Sequence, residues 1–173
     1  HLIFTFLAIM VMIIISAIKT EMLIKLTLPL FIISFIFLAL VPIIGIEVKG
    51  AKRWIDLYFF RLQPIEILKP FFILMTVQIL TFEKFKSSKI KYILNFILLC
   101  CVIILLIDQP DLGQSILLTG SWVATVFISG VSLIYIFIFF SIFLISLSSL
   151  LFFLPEKFGY IINRLATFFD PSQ

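Results

Sequence analysis

The sequence predicts an all-α integral membrane protein, a polytopic bundle of about six transmembrane helices at roughly 20 apolar residues per crossing. Composition is the first reason. Of 173 residues, 63% are hydrophobic and 13% charged, whereas soluble domains have roughly 45–50% and about 25%. The second is arrangement, because the apolar residues fall in long runs without the alternation of membrane β-strands. The third is the shortage of polar residues to cover a water-facing surface, with 22 Phe in the chain. A soluble globular enzyme, a disordered chain and a disulfide-stapled secreted module are excluded. In lipid every backbone amide needs a partner within its own segment, so runs of this length become helices despite their many Ile.

The spans follow in order. Residues 2–18 form the first, ending at Lys19-Thr20-Glu21, and residues 26–44 the second, with Pro29 and Pro42 near its ends. Residues 64–82 form the third and carry Glu66 and Lys69 in its first turns. Residues 93–107 make a short fourth span, 111–128 the fifth and 133–154 the sixth. Gly120 and Ala124, one helical turn apart, predict a close helix contact. Cys100 and Cys101 are adjacent and read as packing residues, since neighbouring cysteines are poor disulfide partners. No linker divides the chain, which reads as a single transmembrane domain over 1–173. It also reads as a piece of a longer protein: His1 stands where an initiator Met would, and Asp170-Pro171-Ser172-Gln173 is loop-like.

The net charge of +4, from 13 basic residues against 9 acids, suits basic flanks around spans and needs no nucleic-acid partner. Lys19, Lys25, Lys84, Lys86, Lys89 and Lys91 fall on one side, and Lys49, Lys52, Arg53, Arg61, Lys157 and Arg164 on the other. Numbers alone do not orient the chain. The loop at 83–91 looks like a plain solvated one, whereas 45–63 mixes charge with Trp54, Tyr58, Phe59 and Phe60. This places 83–91 in the cytoplasm and 45–63 outside.

Three polar constellations interrupt the apolar background. In Lys49-Gly50-Ala51-Lys52-Arg53-Trp54-Ile55-Asp56, small residues permit a close turn and the cations can meet a phosphate or pyrophosphate; on composition alone an ordinary interfacial anchor built on Trp54 is the better account of the segment. In Gln63-Pro64-Ile65-Glu66-Ile67-Leu68-Lys69-Pro70, Pro64 suits a first helical turn and Glu66 and Lys69 share a face and can pair. Ionisable residues within a span point by default to a cavity or bundle interior, although a structural pair near the interface remains open. Pro70 removes a ladder hydrogen bond and is expected to kink the helix just beyond the pair. In Asp108-Gln109-Pro110-Asp111-Leu112-Gly113, Asp111 fits a helix start, where the dipole favours a carboxylate; alone it is a turn cap. No metal-ligand spacing, phosphate loop or Ser–His or Cys–His arrangement competes, and His1 is the single histidine.

In this order the three constellations resemble the FtsW/RodA family of bacterial shape, elongation, division and sporulation (SEDS) proteins. The resemblance is dense across residues 45–69, is joined by Gln109-Pro110-Asp111-Leu112-Gly113, and extends to Asp170-Pro171, which is similar to the start of the family's large external loop. Lys69-Pro70 and the loop wording look more like the FtsW (division) branch than the RodA (elongation) branch. Ile65 departs from a common Ser and Gln114 from a frequent Thr. The family has about ten spans, so the resemblance implies an N-terminal-half fragment holding the second to the seventh.

What the resemblance implies is a peptidoglycan glycosyltransferase that polymerises lipid II at the outer face of the bacterial cytoplasmic membrane, at the division septum. The acceptor hydroxyl attacks the anomeric carbon of the growing undecaprenyl-linked glycan and displaces undecaprenyl pyrophosphate. That chemistry needs a carboxylate base and cations facing the leaving group. The family's essential Asp is expected beyond Gln173, so this chain holds no catalytic residue by that reckoning. Substrate contacts are expected from Lys49, Lys52, Arg53, Gln63, Glu66, Lys69 and Asp111. The cations would neutralise pyrophosphate, Glu66 and Lys69 would shape the cavity, and Asp111 would fix its bordering turn. The resemblance names no certain cofactor and leaves a divalent cation open. Expected partners are a class B penicillin-binding protein and other division proteins. A lipid II flippase and a non-catalytic scaffold activating that penicillin-binding protein are the competing functions.

Overall fold

A computed structural model describes residues 2–48, 51–58, 60–85 and 87–153. In chain order its elements are α1 (Leu2–Ser16), α2 (Thr20–Ile44), β1 (Ile46–Val48), β2 (Ala51–Asp56), β3 (Arg61–Leu62), α3 (Pro64–Thr81), α4 (Ser88–Asp108), α5 (Leu112–Ile128) and α6 (Leu133–Phe153). The protein is mostly helical. Among the described residues α2, α3 and α4 are long and apolar enough to cross a membrane, while α5 is a shorter apolar helix. The 21 residues of α6 include no Asp, Glu, Lys or Arg. Each of the six apolar runs overlaps a helix, and residue 154, the expected end of the sixth, lies outside the described residues. α2 and α4 start earlier than their apolar runs because Thr20–Lys25 and Ser88–Tyr92 continue the hydrogen-bond ladder into the polar boundary.

The described residues form two compact units that divide between Thr125 and Val126. In the first, α2 packs along α3, α3 on α4, and α4 on α2. The buried positions recur at helical spacing: Thr27, Phe31, Ser34, Leu38 and Val41 on α2, Ile65, Leu68, Phe72 and Thr76 on α3, and Asn95, Leu99, Val102 and Leu106 on α4. Small polar residues sit inside this set while Ile and Leu crowd the outward faces, the reverse of a soluble bundle. Helices in lipid gain little from hiding apolar surface and associate through close packing and interhelical hydrogen bonds. The Asn95 amide, for example, donates to the Thr76 carbonyl across the α3–α4 contact at 3.4 Å.

Among the described residues no helix packs on Gly120 and Ala124. Both are exposed, and a Cβ added at Gly120 meets no atom within 4 Å. The packed face of α5 runs instead through Ser115, Leu118, Thr119 and Trp122, so the small pair lies on the other side of the helix. Cys100 and Cys101 are free, the first half-buried and the second exposed. α3 remains one helix through Pro70.

The 45–63 segment, expected as a loop, is a three-stranded antiparallel sheet in the order β1-β2-β3. Ile46 pairs with Trp54, Glu47 with Lys52 and Val48 with Ala51, and then Ile55 pairs with Leu62 and Asp56 with Arg61. Ala51 and Ile55 face inward onto α2 and α3. Gly45 delivers the chain into this sheet: its N–H donates to the Val41 carbonyl at 2.8 Å. A side chain there would collide with that carbonyl.

Candidate functional site

The site forms where α3 begins, α4 ends and α5 begins, with β2 laid across them. Gln63 is the extended N-cap of α3 and Pro64 opens the helix, where a missing N–H costs nothing. At the end of α4, Gln109 is buried to 2% exposure and donates its side-chain amide to the Leu38 carbonyl at 2.9 Å. That carbonyl is available for a physical reason: the residue four further along α2 is Pro42, which has no N–H to give. A buried carbonyl must find a donor, and Gln109 supplies it. The contact fixes the α4–α5 turn against the middle of α2.

Arg53 closes the turn from the other side. Its Nε donates to the Gln109 carbonyl at 3.4 Å and its Nη2 to the Pro110 carbonyl, while Nε lies 3.6 Å from Asp111 Oδ2. The Arg53 side chain is 21% exposed and that of Asp111 8%. Asp111 caps α5: its carbonyl accepts from the Ser115 N–H at 3.1 Å and the Ser115 hydroxyl at 2.9 Å. Its carboxylate also accepts from the Gln63 amide at 3.3 Å. A guanidinium is suited to this role because its planar fork can serve carbonyls and a carboxylate together. The anion at the start of α5 and the cation at the end of α4 both sit favourably in the helix fields.

One turn along both helices is a second cluster. Lys69 Nζ lies 2.7 Å from Glu66 Oε2 and donates to Gln114 Oε1 at 3.0 Å, and the Gln114 amide donates to Glu66 Oε1 at 2.7 Å. These side chains form a closed ring bridging α3 and α5. Glu66 is 49% and Lys69 18% exposed. The two bonds of Lys69 use two of an ammonium's three donors, so the ring presents a partly open carboxylate beside a held cation.

The structure thus brings Arg53, Gln63 and Asp111 into one cluster and Glu66 and Lys69 into the next. Lys52 does not join them. As the neighbour of Arg53 on a strand it points to the opposite face, exposed and paired in register with Glu47. Lys49 lies outside the described residues. Two residues outside the expected substrate contacts complete the site, Gln109 and Gln114. For Gln109 the available signal was Pro42, which guarantees an orphan carbonyl; for Gln114 it was its spacing three after Asp111, matching Glu66 three after Gln63. Among the described residues no three His, Cys, Asp or Glu side chains gather as a metal-binding group.

The FtsW/RodA/SpoVE family model, described as cell cycle protein, matches residues 1–173. A relative in Aliivibrio salmonicida, carried as probable peptidoglycan glycosyltransferase FtsW, is 31% identical over all of this chain and 43% of its own length. One of the same name in Wigglesworthia glossinidia brevipalpis is 31% identical over 82% of this chain and 37% of its own length. The chain therefore spans less than half the length of these curated relatives. Among solved structures, a chain of a peptidoglycan synthase complex that coordinates polymerization and crosslinking superposes with a TM-score of 0.70 at 28% identity, covering 93% of this chain and 47% of that one. The rod shape determining protein RodA of Thermus thermophilus gives 0.61 at 28% identity, covering 69% and 40%. With a family model matched from end to end and a fold shared with these solved chains, the protein belongs to the FtsW/RodA/SpoVE family of cell cycle proteins.

Proposed function

We propose that this chain is the substrate-cradling part of a peptidoglycan glycosyltransferase that polymerises lipid II at the outer face of the bacterial cytoplasmic membrane, in septal wall synthesis. The observation that carries the reading is the Glu66–Lys69–Gln114 ring, a half-exposed charged group held at the start of an apolar helix. Lipid excludes such groups unless they serve a polar ligand or cavity. The names of the relatives supply the activity and that of the solved synthase complex suggests a partner of the penicillin-binding class.

In this reading Lys69 offers its remaining donor to an oxygen of the pyrophosphate as negative charge builds there. Glu66 and Gln114 keep the ammonium aimed, so no reorganisation is needed when the bond breaks. Lys52, exposed on the sheet, meets the approaching anionic head group. Arg53 acts at one remove: its guanidinium is taken up by the α4–α5 turn, so it positions Asp111 and Gln63 and through them the spacing between α3 and α5. The base that accepts the acceptor's hydroxyl proton belongs to the remainder of the full-length protein.

The test uses the purified full-length protein with its penicillin-binding partner and lipid II. Glycan polymer is the expected product, falling about a hundredfold in Lys69→Gln. Lipid II translocation without polymer would overturn the reading in favour of a transporter. Septal synthesis unchanged by Lys69→Gln would favour a scaffold.

A further inference from the structure

The two ends of the small sheet differ in chemistry, and its register fixes which end lies beside the end of α2. β1 starts immediately after α2 and Gly45, and Ile46 pairs with Trp54. The turn that follows Asp56 therefore lies beyond the end of the sheet at which α2 delivers the chain. The connection between Val48 and Ala51 lies at the opposite end. The far end carries Lys52, and Lys49 adjoins it in sequence; the near end carries Leu57, Tyr58 and Phe60.

This near turn is apolar, exposed and held in shape. Tyr58 is 100% exposed, Phe60 57% and Leu57 38%. Tyr58 adopts φ +65, a left-handed conformation uncommon for an aromatic residue. It is kept there by Asp56, whose carboxylate accepts the Tyr58 N–H at 3.0 Å, while the Leu57 N–H donates to the Phe60 carbonyl at 3.1 Å. Tyr58 and Phe60 leave most of their surface outside the protein's own packing. The end of α2 and the start of α3 also expose apolar residues, with Ile43 76%, Ile44 52% and Ile67 41% exposed. Charges flank it on both sides, Asp56 and Arg61, 3.9 Å apart. An apolar tip with a phenol and a charged rim matches the layer where acyl chains meet head groups.

We propose that the Leu57–Phe60 turn is seated in the interfacial layer of the bilayer beside α2 and α3 and pins the sheet to the membrane surface. The consequence is mechanical. Arg53 lies on the same β2 strand, three residues before Asp56, so anchoring the turn fixes the height from which Arg53 reaches the α4–α5 junction. The proposal rests on the membrane location alone and is independent of the chemistry proposed above.

Depth-dependent quenching tests it. An environment-sensitive fluorophore is attached to Tyr58→Cys, and separately to Lys52→Cys, in the full-length protein with its other reactive cysteines replaced. Each is reconstituted into phosphatidylcholine–phosphatidylglycerol vesicles containing nitroxide lipids. The expected result is blue-shifted emission at position 58, with quenching about threefold stronger than at 52. Both side chains are exposed, so neither substitution removes a packed contact, and Phe60→Cys provides a second site on the same turn. Water-like emission at 58 with quenching equal to that at 52 would overturn the proposal. Blue-shifted emission without lipid quenching would also overturn it, because a protein surface would then cover the turn.

Discussion

The two polar clusters at the starts of α3 and α5 are one helical turn apart and differ in how they are satisfied. The Arg53–Asp111–Gln63 cluster is largely buried and draws on the backbone: the guanidinium meets carbonyls of the α4–α5 turn, and Asp111 caps a helix. The Glu66–Lys69–Gln114 ring uses side chains alone and leaves Glu66 half exposed. A charge bonded to backbone carbonyls cannot leave without breaking the fold, whereas a charge held by other side chains can exchange one partner for a ligand. The two groups of charged residues thus separate physically into one held by the backbone and one held by side chains alone.

Substitutions sharpen that separation. The largest effect is expected at Arg53. Arg53→Ala strands a buried carboxylate and two carbonyls and should lower the stability of the full-length protein by about 3–5 kcal/mol. Arg53→Lys, which keeps the charge but not the fork, should recover part of that loss. Thermal unfolding in detergent measures both. Equal stability of Arg53→Ala and wild type would merge the two clusters into one class.

Glu66→Gln is next and should do the opposite. Polymerisation is expected to fall about a hundredfold, while unfolding shifts by no more than about 1 kcal/mol, in keeping with a half-exposed pair. A loss of stability as large as that of Arg53→Ala would show the ring to be structural. The smallest effect is expected at Gln114. Gln114→Thr shortens the side chain that closes the ring and removes two hydrogen bonds at about 1 kcal/mol each at most. A severalfold loss of activity with normal folding is expected, read from initial polymerisation rates; a loss equal to that of Glu66→Gln would raise Gln114 to the rank of the charged pair.

Much of this was legible in the residues. Pro64 before Glu66 and Lys69 marked a helix start with an ion pair on one face, and the structure has both. Asp111 at the start of the fifth helix was legible from Pro110 and the leucine run that follows. The sheet was less so. Lys52 to Asp56 alternates only weakly, and its strands are short enough that pairing depends on α2 and α3 beneath them. Grouping Lys52 with Arg53 as one cationic patch followed from adjacency in sequence, but on a strand adjacent side chains part to opposite faces.

The sequence by itself determined the solvent and, from it, the helices, because a chain this apolar must satisfy its backbone internally in lipid. Only the tertiary structure decided the partner of each charge. Arg53 meets Gln109 across 56 positions, Gln63 meets Asp111 across 48 and Lys69 meets Gln114 across 45. No local pattern encodes such pairings, since they depend on which helix ends the packing of α2, α3 and α4 brings within reach of a hydrogen bond.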